Sequence, residues 1–355
     1  MRATAVASIV ELKSWPLRQP GDGAEYTVLR IDTDAGVSGW GESRARTADF
    51  EAARGRLAGQ DAGSAEAVAS RLAADPPGVR AAVNLALLDV LGKVCKAPAY
   101  DVLGGATRRK ARALAPLHGT TEAEWLESLR RAREAGFRAV SVPLALPEGP
   151  VRGRGFFRRT RESLERLRAA AEGVDFVLDC GPRATAAEAA GLARELEGFH
   201  LLWLEAPALS LAELAGIANE YAVPIGHGRS TPGGAGFQDL LRADAMDVLR
   251  PDLALWGITE LRKSAALAET YYAAMAPHHR GGPLGTAAAI HVAASIPNFV
   301  LQEVPLPADE RDRAMRRELA GAAIETVKDG FLELPAGPGL GVTVDPDALE
   351  RHRIR

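Results

Sequence analysis

Residues 175–205 contain the two runs that decide the fold, DFVLD at 175–179 and HLLWLE at 200–205. Each is a short apolar run that ends in a carboxylate, and an Ala-, Leu- and Glu-rich stretch separates them. Six further apolar runs lie on either side and end near residues 119, 145, 228, 252, 278 and 303. The step between most neighbouring runs is about 25 residues, the length of one strand, one helix and two loops. Eight such units predict a parallel (β/α)8 barrel, an α/β fold.

The stretches between the runs begin with helix-start signals. Thr121, Thr185 and Ser210 are each followed three residues later by a glutamate. This is the spacing of a capping box, in which the two side chains satisfy free backbone N–H groups. A doubly wound open sheet also alternates strands and helices, but eight evenly spaced runs with no Gly-rich phosphate loop after the first favour the closed barrel.

The residues before the barrel pattern read as a separate α+β unit. The predicted elements are strands at 2–15 and 25–32, a turn with a short strand at 34–43, and helices at 48–71 and 76–96. The segment DGFLELPAGPGLGV at 329–342 predicts a strand–turn–strand that returns to this unit. We therefore expect two domains: an α+β domain at 1–112, completed by about 321–355, and a barrel at 113–320.

Composition and charge narrow the class of protein. The chain has 355 residues, of which 47% are hydrophobic and 25% charged, as in ordinary globular proteins. Its 43 Lys and Arg against 46 Asp and Glu give a formal charge of −3, which excludes a generally basic nucleic-acid binder. Two cysteines cannot form a disulfide scaffold, no apolar run reaches the ~18 residues of a membrane span, and no signal-peptide pattern is present. We expect a cytoplasmic protein with neither nucleic-acid nor membrane partners.

Ionisable side chains follow most of the predicted barrel strands, at the carboxyl ends where barrel enzymes carry their reacting groups. They are Asp179, Glu205, His227, Arg229, Asp252, His278 or its neighbour His279, and Glu303. Carboxylates that converge in a recess need a cation, because unpaired anions repel and lose solvation. Either a divalent ion or a guanidinium would serve. Taken singly, each acid could be a helix cap and each histidine an inert loop residue. A shared site is favoured because several successive strands each end in an ionisable residue.

At these residues the chain resembles the enolase superfamily, in particular its mandelate racemase and acid-sugar dehydratase branches. GVSGWGES at 36–43 and AAVNLALLDVLGK at 81–93 resemble the signatures of the capping domain. FVLDCGPR, LLWLEAP, VPIGHGRS, APHHRGGPLGTAAAIHVAASIPN and LQE follow the order of the family's barrel segments. The resemblance covers nearly the whole chain. It implies a modified TIM barrel with an N-terminal α+β capping domain, assembled as a homo-oligomer, either a dimer or an octamer.

The resemblance also implies a Mg²⁺ site, with one departure. In the family, carboxylates on barrel strands three, four and five hold Mg²⁺, which binds the substrate carboxylate. Asp179 and Glu205 match the first two ligands, but Arg229 stands where the third is expected. Two carboxylates are a poor cage for an ion that prefers six oxygen ligands. We therefore expect Mg²⁺ binding to be weak or absent, with Arg229 paired to both carboxylates as a fixed cation that contacts substrate.

The resemblance assigns the catalytic roles to the last three barrel strands. His278 with Asp252 resembles the family's His–Asp dyad, in which the carboxylate orients the imidazole. Glu303 matches the acid that hydrogen-bonds a substrate carboxylate. The strand-two base is missing, because Ser141-Val142-Pro143 stands where the family has a K-x-K pair. Gly181 likewise replaces a histidine found in some dehydratases.

A single base favours elimination over racemisation. One histidine can remove a proton α to a carboxylate and then, protonated, expel a β-hydroxyl as water. The sequence therefore predicts a lyase, an acid-sugar dehydratase acting on a small carboxylate. Three alternatives stay open: a racemase or epimerase, a metal-independent activity on another carboxylate, and a homologue that binds carboxylates without turnover.

Overall fold

The computed structural model describes residues 6–144, 152–231, 233–321 and 323–354. The chain first forms a three-stranded antiparallel sheet in the order β1-β2-β3. Its strands are β1 (Ile9–Arg18), β2 (Glu25–Thr33) and β3 (Ser38–Ser43). The predicted strand at 2–15 begins later than expected, and its residues 2–5 lie outside the described residues.

Four helices follow this sheet: α1 (Thr47–Leu57), α2 (Ala65–Arg71), α3 (Pro77–Cys95) and α4 (Ala99–Val102). Of these, α1 and α3 pack on the sheet, and α2 and α4 pack on α3. The prediction of one helix over 48–71 is therefore wrong. Gly59 has a φ of 74°, a left-handed conformation that ends the helix. The chain there turns back to β1: the Gly59 N–H donates to the carbonyl of Ile9, at 2.8 Å.

The long helix α3 lies unusually close to β3. Gly39 and Gly41 face its backbone, and a Cβ added to either would overlap the carbonyl oxygen of Ala86 or Ala82. The motif GVSGWGES thus carries glycines because the strand and the helix touch backbone to backbone.

The second unit is the predicted barrel. Its eight parallel strands are β4 (Lys110–Pro116), β5 (Ala139–Pro143), β6 (Asp175–Asp179), β7 (Trp203–Glu205), β8 (Ile225–His227), β9 (Val248–Leu249), β10 (Ala274–Met275) and β11 (Gln302–Glu303). Neighbours pair in chain order from β4 to β10, and β11 pairs with β4. A bridge between Met275 and Phe299 closes the ring. The fold prediction is confirmed.

Helices cover the outside of the barrel. They are α5 (Glu122–Glu134), α6 (Arg154–Ala170), α7 (Ala186–Leu196), α8 (Leu211–Glu220), α9 (Gly233–Arg242), α10 (Leu253–Glu269), α11 (Pro283–Ser295) and α12 (Glu310–Ala320). The three predicted capping boxes are present at the starts of α5, α7 and α8. Inside the ring, one buried apolar side chain from most strands forms a separate cluster that includes Trp203. No helix among the described residues is long and apolar enough to cross a membrane.

The segment after α12 departs from its prediction. β12 (Val327–Lys328) and β13 (Phe331–Glu333) form a hairpin, but β13 pairs with β4 of the barrel. The second strand predicted within 329–342 is absent: after β13 the segment has only an isolated bridge at Gly339. What returns to the first unit is the following stretch, where the Leu340 N–H donates to Asp89 on α3 at 2.8 Å. There α13 (Pro346–His352) also packs on β1: the Trp15 indole N–H donates to Glu350 at 2.5 Å.

The contact between β3 and α3 gives a stability test. We expect Gly41→Ala to destabilise the fold by roughly 3 kcal/mol, because the new methyl group meets helix backbone that cannot move without shifting the sheet. Gly55→Ala is the control, since Gly55 lies on the exposed face of α1 with open space around it. That variant should gain about 0.5–1 kcal/mol. Urea unfolding measures both, and an unchanged midpoint in Gly41→Ala would contradict the packing.

Candidate active site

The barrel brings most of the predicted strand-end residues to one mouth. Asp179 and Glu205 are paired in register on β6 and β7. Asp252 and His278 form a parallel backbone bridge, and Glu303 ends β11 beside β4. All five are buried, with at most 6% of each residue exposed. The common height of these side chains follows from the parallel register of the strands.

Arg229 reaches the two carboxylates at the positions expected for metal ligands. Its Nη2 donates to Asp179 Oδ2 at 2.9 Å, and its Nε donates to Glu205 Oε1. The side chain is only 15% exposed. The backbone turn at Gly228, with a φ of 126°, follows the short strand β8 and leads into Arg229.

A second guanidinium, Arg250, lies deeper and was not predicted. Its Nε donates to Glu205 Oε2 at 3.0 Å and its Nη2 to Glu303 Oε2 at 2.8 Å. Its Nη1 donates to the carbonyl of Ala276 at 2.9 Å. With 1% of the residue exposed, Arg250 links the two acids inside the barrel. The signal was the arginine inside the apolar run DVLRPD, one residue before the proline.

The histidine partner differs from the one predicted by resemblance. His278 Nδ1 lies 2.7 Å from Glu303 Oε2. Asp252 instead caps α10, where its Oδ1 accepts the Ala254 N–H at 2.8 Å. The two residues are neighbours through their backbones, but the described hydrogen bond of the imidazole goes to Glu303. Glu303 therefore takes the orienting role that the dyad gave to Asp252.

Arg280 completes the cluster and was also missed. Its Nε donates to Glu303 Oε1 at 3.0 Å, and its Nη2 lies 3.6 Å from Asp179 Oδ2. Its side chain is 43% exposed, far more than those of Arg229 and Arg250. Its place directly after His278 and His279 was the only available sequence signal.

Three guanidinium groups thus face three carboxylates, and they lower the pKa values of Glu205 and Glu303. Burial alone would raise the pKa of Glu205, but Arg250 and Arg229 outweigh it and lower that pKa to about 2. Burial also opposes ionisation of Glu303, yet His278, Arg280 and Arg250 hold its pKa well below the ordinary value. An ionised Glu303 has no proton to donate, so it cannot give a substrate carboxylate the hydrogen bond that the resemblance implies.

A cavity of about 560 Å³ opens onto this cluster. Asp179 and Arg280 form part of its wall, whereas His278 is not among its described lining residues. Its polar wall also includes Gln19, Asp22, His118, Asp309 and Asp312, and its apolar wall consists mainly of Pro and Leu side chains. Gln19 and Asp22 come from the first unit, so both domains enclose the cavity.

The described side chains of the site do not form a metal-binding group. Among the described residues, no group of three His, Cys, Asp or Glu side chains is arranged to hold a metal ion. The predicted strand-end residue His227 points elsewhere: its Nδ1 lies 3.1 Å from the carbonyl oxygen of Ala206. Burial lowers the pKa of His227.

Comparison with known proteins agrees with the fold. Residues 124–348 match the family model described as "Enolase C-terminal domain-like". Residues 18–104 match the N-terminal domain of mandelate racemase / muconate lactonizing enzyme. The chain is 31% identical to a D-xylonate dehydratase of Haloferax volcanii, over 93% of this chain and 85% of that protein. It is also 31% identical to a D-galactonate dehydratase of Ralstonia nicotianae, over 93% and 91%.

Solved structures give the same result. A mandelate racemase/muconate lactonizing enzyme-like protein from a Roseovarius species superimposes with a TM-score of 0.87 at 27% identity, over 98% of this chain and 96% of that one. The resemblance read from the sequence is confirmed.

Removal of the Arg229 guanidinium should destabilise the fold in a pH-dependent way. We expect Arg229→Gln to lose about 3–5 kcal/mol at neutral pH, because it removes the guanidinium that hydrogen-bonds both Asp179 and Glu205 and leaves these buried acids with less compensating charge. The lowered pKa of Glu205 means that its pairing stabilises the fold above about pH 4.5 and is lost as the pH falls towards 2. The difference between wild type and variant should therefore shrink over that interval.

Denaturant unfolding at several pH values measures this difference. Arg166→Gln is the control, since Arg166 pairs with Glu122 on the surface and its loss should change little. A difference for Arg229→Gln that stays constant from neutral pH down to pH 2 would contradict the proposed pairing.

Proposed function

Because the chain belongs to the mandelate racemase / muconate lactonizing enzyme family of the enolase superfamily, we propose that it is a hydro-lyase that dehydrates an acid sugar. The curated relatives named above are dehydratases of D-xylonate and D-galactonate, both polyhydroxy monocarboxylates. The observation that carries the proposal is the His278–Glu303 pair, because Glu303 also pairs with Arg280, which lines the cavity.

His278 is the base in this proposal. Glu303 holds Nδ1, which leaves Nε2 to remove the proton α to the substrate carboxylate. The electron pair of that C–H bond moves into the carboxylate to form an enediolate. The pair then returns, the β-carbon–oxygen bond breaks, and the imidazolium returns its proton to the leaving hydroxyl as water. The enol that remains becomes an α-keto acid by tautomerisation.

Arg280 receives the substrate carboxylate. It is the most exposed guanidinium of the cluster, it lines the cavity, and its 3.6 Å contact with Asp179 is the loosest of its ion pairs. Substrate binding would exchange that contact for a carboxylate–guanidinium pair, which is bidentate in its best geometry. The fixed positive charge would then stabilise the enediolate as negative charge grows on the carboxylate oxygens.

Members of this family usually use a divalent ion, most often Mg²⁺, but the donor atoms here do not suit one. Both oxygens of Asp179 accept hydrogen bonds, from Arg229 and from the Gly181 N–H, and both oxygens of Glu205 face guanidinium groups. A cation brought between them would meet the positive charge of Arg229. We infer that Arg229 takes the place of the ion, and no step above uses a metal.

The described residues of β5 supply no second base, which favours dehydration over racemisation. Pro143 on β5 lies in register with Asp179, at the strand end where an opposed base would stand. A two-base exchange would need a proton donor there, and the described part of β5 offers Ser141 but no Lys or His. The cytoplasmic location and the homo-oligomeric state stay predictions.

One observation favours a second candidate, a carboxylate-binding homologue without turnover. His278 is 5% exposed and is not among the described lining residues of the cavity, whereas Arg280 is. In that case a carboxylate would bind at Arg280 without reaching the imidazole.

The base assignment can be tested directly. We expect His278→Asn to lose about 10²–10⁴-fold in kcat on whichever acid sugar the wild type dehydrates, since general-base catalysis contributes about that much. A panel of acid sugars assayed for α-keto acid formation gives the measurement. His200→Asn is the control, because His200 is exposed and has a φ of 56° that asparagine adopts readily. No turnover by wild type across the panel, with thermal stabilisation by the same acids, would support the binding homologue instead.

The role of Arg229 predicts a difference in metal binding. Calorimetric titration of wild type with Mg²⁺ should show no tight one-to-one binding. Arg229→Glu restores a third carboxylate beside Asp179 and Glu205 and should create a site that Mg²⁺ fills. Arg229→Gln is the matched variant that removes the cation without adding a ligand. Tight binding by wild type, abolished in Asp179→Asn, would show that the guanidinium does not replace the ion.

A further inference from the structure

We propose that Glu42 is a positioning residue of the active site: the N-terminal domain supplies its carboxylate to fix residues 276–282, here named the strap, which carry His278 and Arg280. The inference rests on the proposed function only where kcat is measured. Hydrogen exchange at the strap tests the inference even if the protein turns over no substrate.

Glu42 completes the start of α11 from another domain. It lies on β3 and is 3% exposed. The Gly282 N–H donates to its Oε1 at 2.5 Å, and the Gly285 N–H donates to its Oε2 at 3.3 Å. Gly282 is the N-cap residue of α11, which has no side-chain cap of its own. The carboxylate therefore satisfies N–H groups that helix starts leave free, where a negative charge is also favourable.

The glycines of this segment leave no space around the carboxylate. A Cβ added to Gly281 or Gly282 would overlap the carboxylate of Glu42, and one added to Gly285 would overlap the ring of His279. Because the contact is this close, a displacement of Glu42 moves the backbone of the strap and with it the side chains on either side of His279.

The barrel side holds the same strap through a separate ion pair. Arg316 on α12 donates to the carbonyl of Gly281 at 2.9 Å and forms two hydrogen bonds with Glu325, at 2.8 and 2.6 Å. Glu325 accepts the Thr286 hydroxyl of α11 at 2.6 Å. The barrel thus holds residues 276–278 through backbone hydrogen bonds to the neighbouring strand end, and it holds the carbonyl of Gly281 through Arg316. The N–H groups at the start of α11 depend on Glu42, so Glu42 fixes the end of the strap that follows Arg280.

The groups that face Glu42 make it sensitive to pH. Burial raises its pKa to about 7, although Arg316 and the two glycine N–H groups oppose this shift. Burial also raises the pKa of Tyr26 well above its ordinary value and lowers that of His279 to about 4, so both are neutral near pH 7. Arg316 outweighs burial and keeps the pKa of Glu325 low. On α12, burial raises the pKa of Asp312 to about 6, so Glu42 titrates above it.

Protonation of Glu42 has opposite effects on activity and stability. A protonated carboxyl places an O–H donor against a backbone N–H, so the strap loosens and kcat should fall as the pH drops through about 7. The raised pKa means that the folded state binds this proton more readily than the unfolded state. The contribution of Glu42 to the free energy of unfolding therefore increases as the pH falls from 7 towards 4.5.

Glu42→Gln tests the assignment, with Asp89→Asn as the matched control. Asp89 is the other fully buried acid of the N-terminal domain: it accepts N–H groups of Trp40 and Leu340 and does not contact the strap. In Glu42→Gln we expect at least tenfold faster hydrogen exchange at residues 281–285, a kcat reduced about tenfold at pH 8, and a smaller step in kcat near pH 7 than in wild type. Asp89→Asn should keep both the slow exchange and the step.

Two outcomes overturn the proposal: unchanged exchange at 281–285 in Glu42→Gln, or equal loosening in Asp89→Asn. Glu42→Asp covers the case in which the amide variant does not fold, because it keeps the charge on a shorter side chain. It should exchange faster at 281–285 than wild type while it retains a step in kcat. If wild type turns over no acid sugar, the proposed function fails and hydrogen exchange still decides the role of Glu42.

Discussion

Charge compensation inside a closed ring of strands is the constraint on which the site depends. Glu205 is fully buried and would not remain ionised there without Arg250 on one side and Arg229 on the other. These residues come from β7 and from the segments after β8 and β9, so the ion pairs form only when neighbouring strands are in register. The ion pairs keep the buried carboxylates ionised, and they also fix the positions of the guanidinium groups at the mouth of the barrel.

The N-terminal domain contributes to this site in two ways. It closes the cavity with Gln19 and Asp22, and it reaches the start of α11 through Glu42. Gln19 and Asp22 lie in the loop between β1 and β2, whereas Glu42 lies on β3. That strand is packed backbone to backbone on α3 through Gly39 and Gly41. The position of Glu42, and with it that of the strap, therefore depends on this rigid contact, which is how a stable scaffold supports residues carried on loops.

Features set by periodicity could be predicted from the sequence, whereas features set by side-chain direction mostly could not. The eight strands and the gathering of Asp179, Glu205, Asp252, His278 and Glu303 at one mouth come from the spacing of apolar runs, because parallel register sets the height of each strand end. The pairing of His278 with Glu303 rather than Asp252 depends on rotamers that spacing does not specify.

Arg250 was missed because a charge inside an apolar run is recognised as buried only once its two acids are in place. The hairpin of β12 and β13 was assigned to the wrong unit because strand pairing is a long-range contact.

The packing of α13 on β1 has a consequence for biosynthesis. Trp15 donates to Glu350, and the Ile354 N–H donates to the carbonyl of Pro16 at 2.9 Å. On the ribosome, β1 emerges before the barrel and waits for roughly three hundred further residues before these partners leave the exit tunnel. The barrel strands can assemble during that interval, so β1 is translated before them and reaches its final environment after them. A chaperone that shields an emerging amphipathic strand would therefore act on β1.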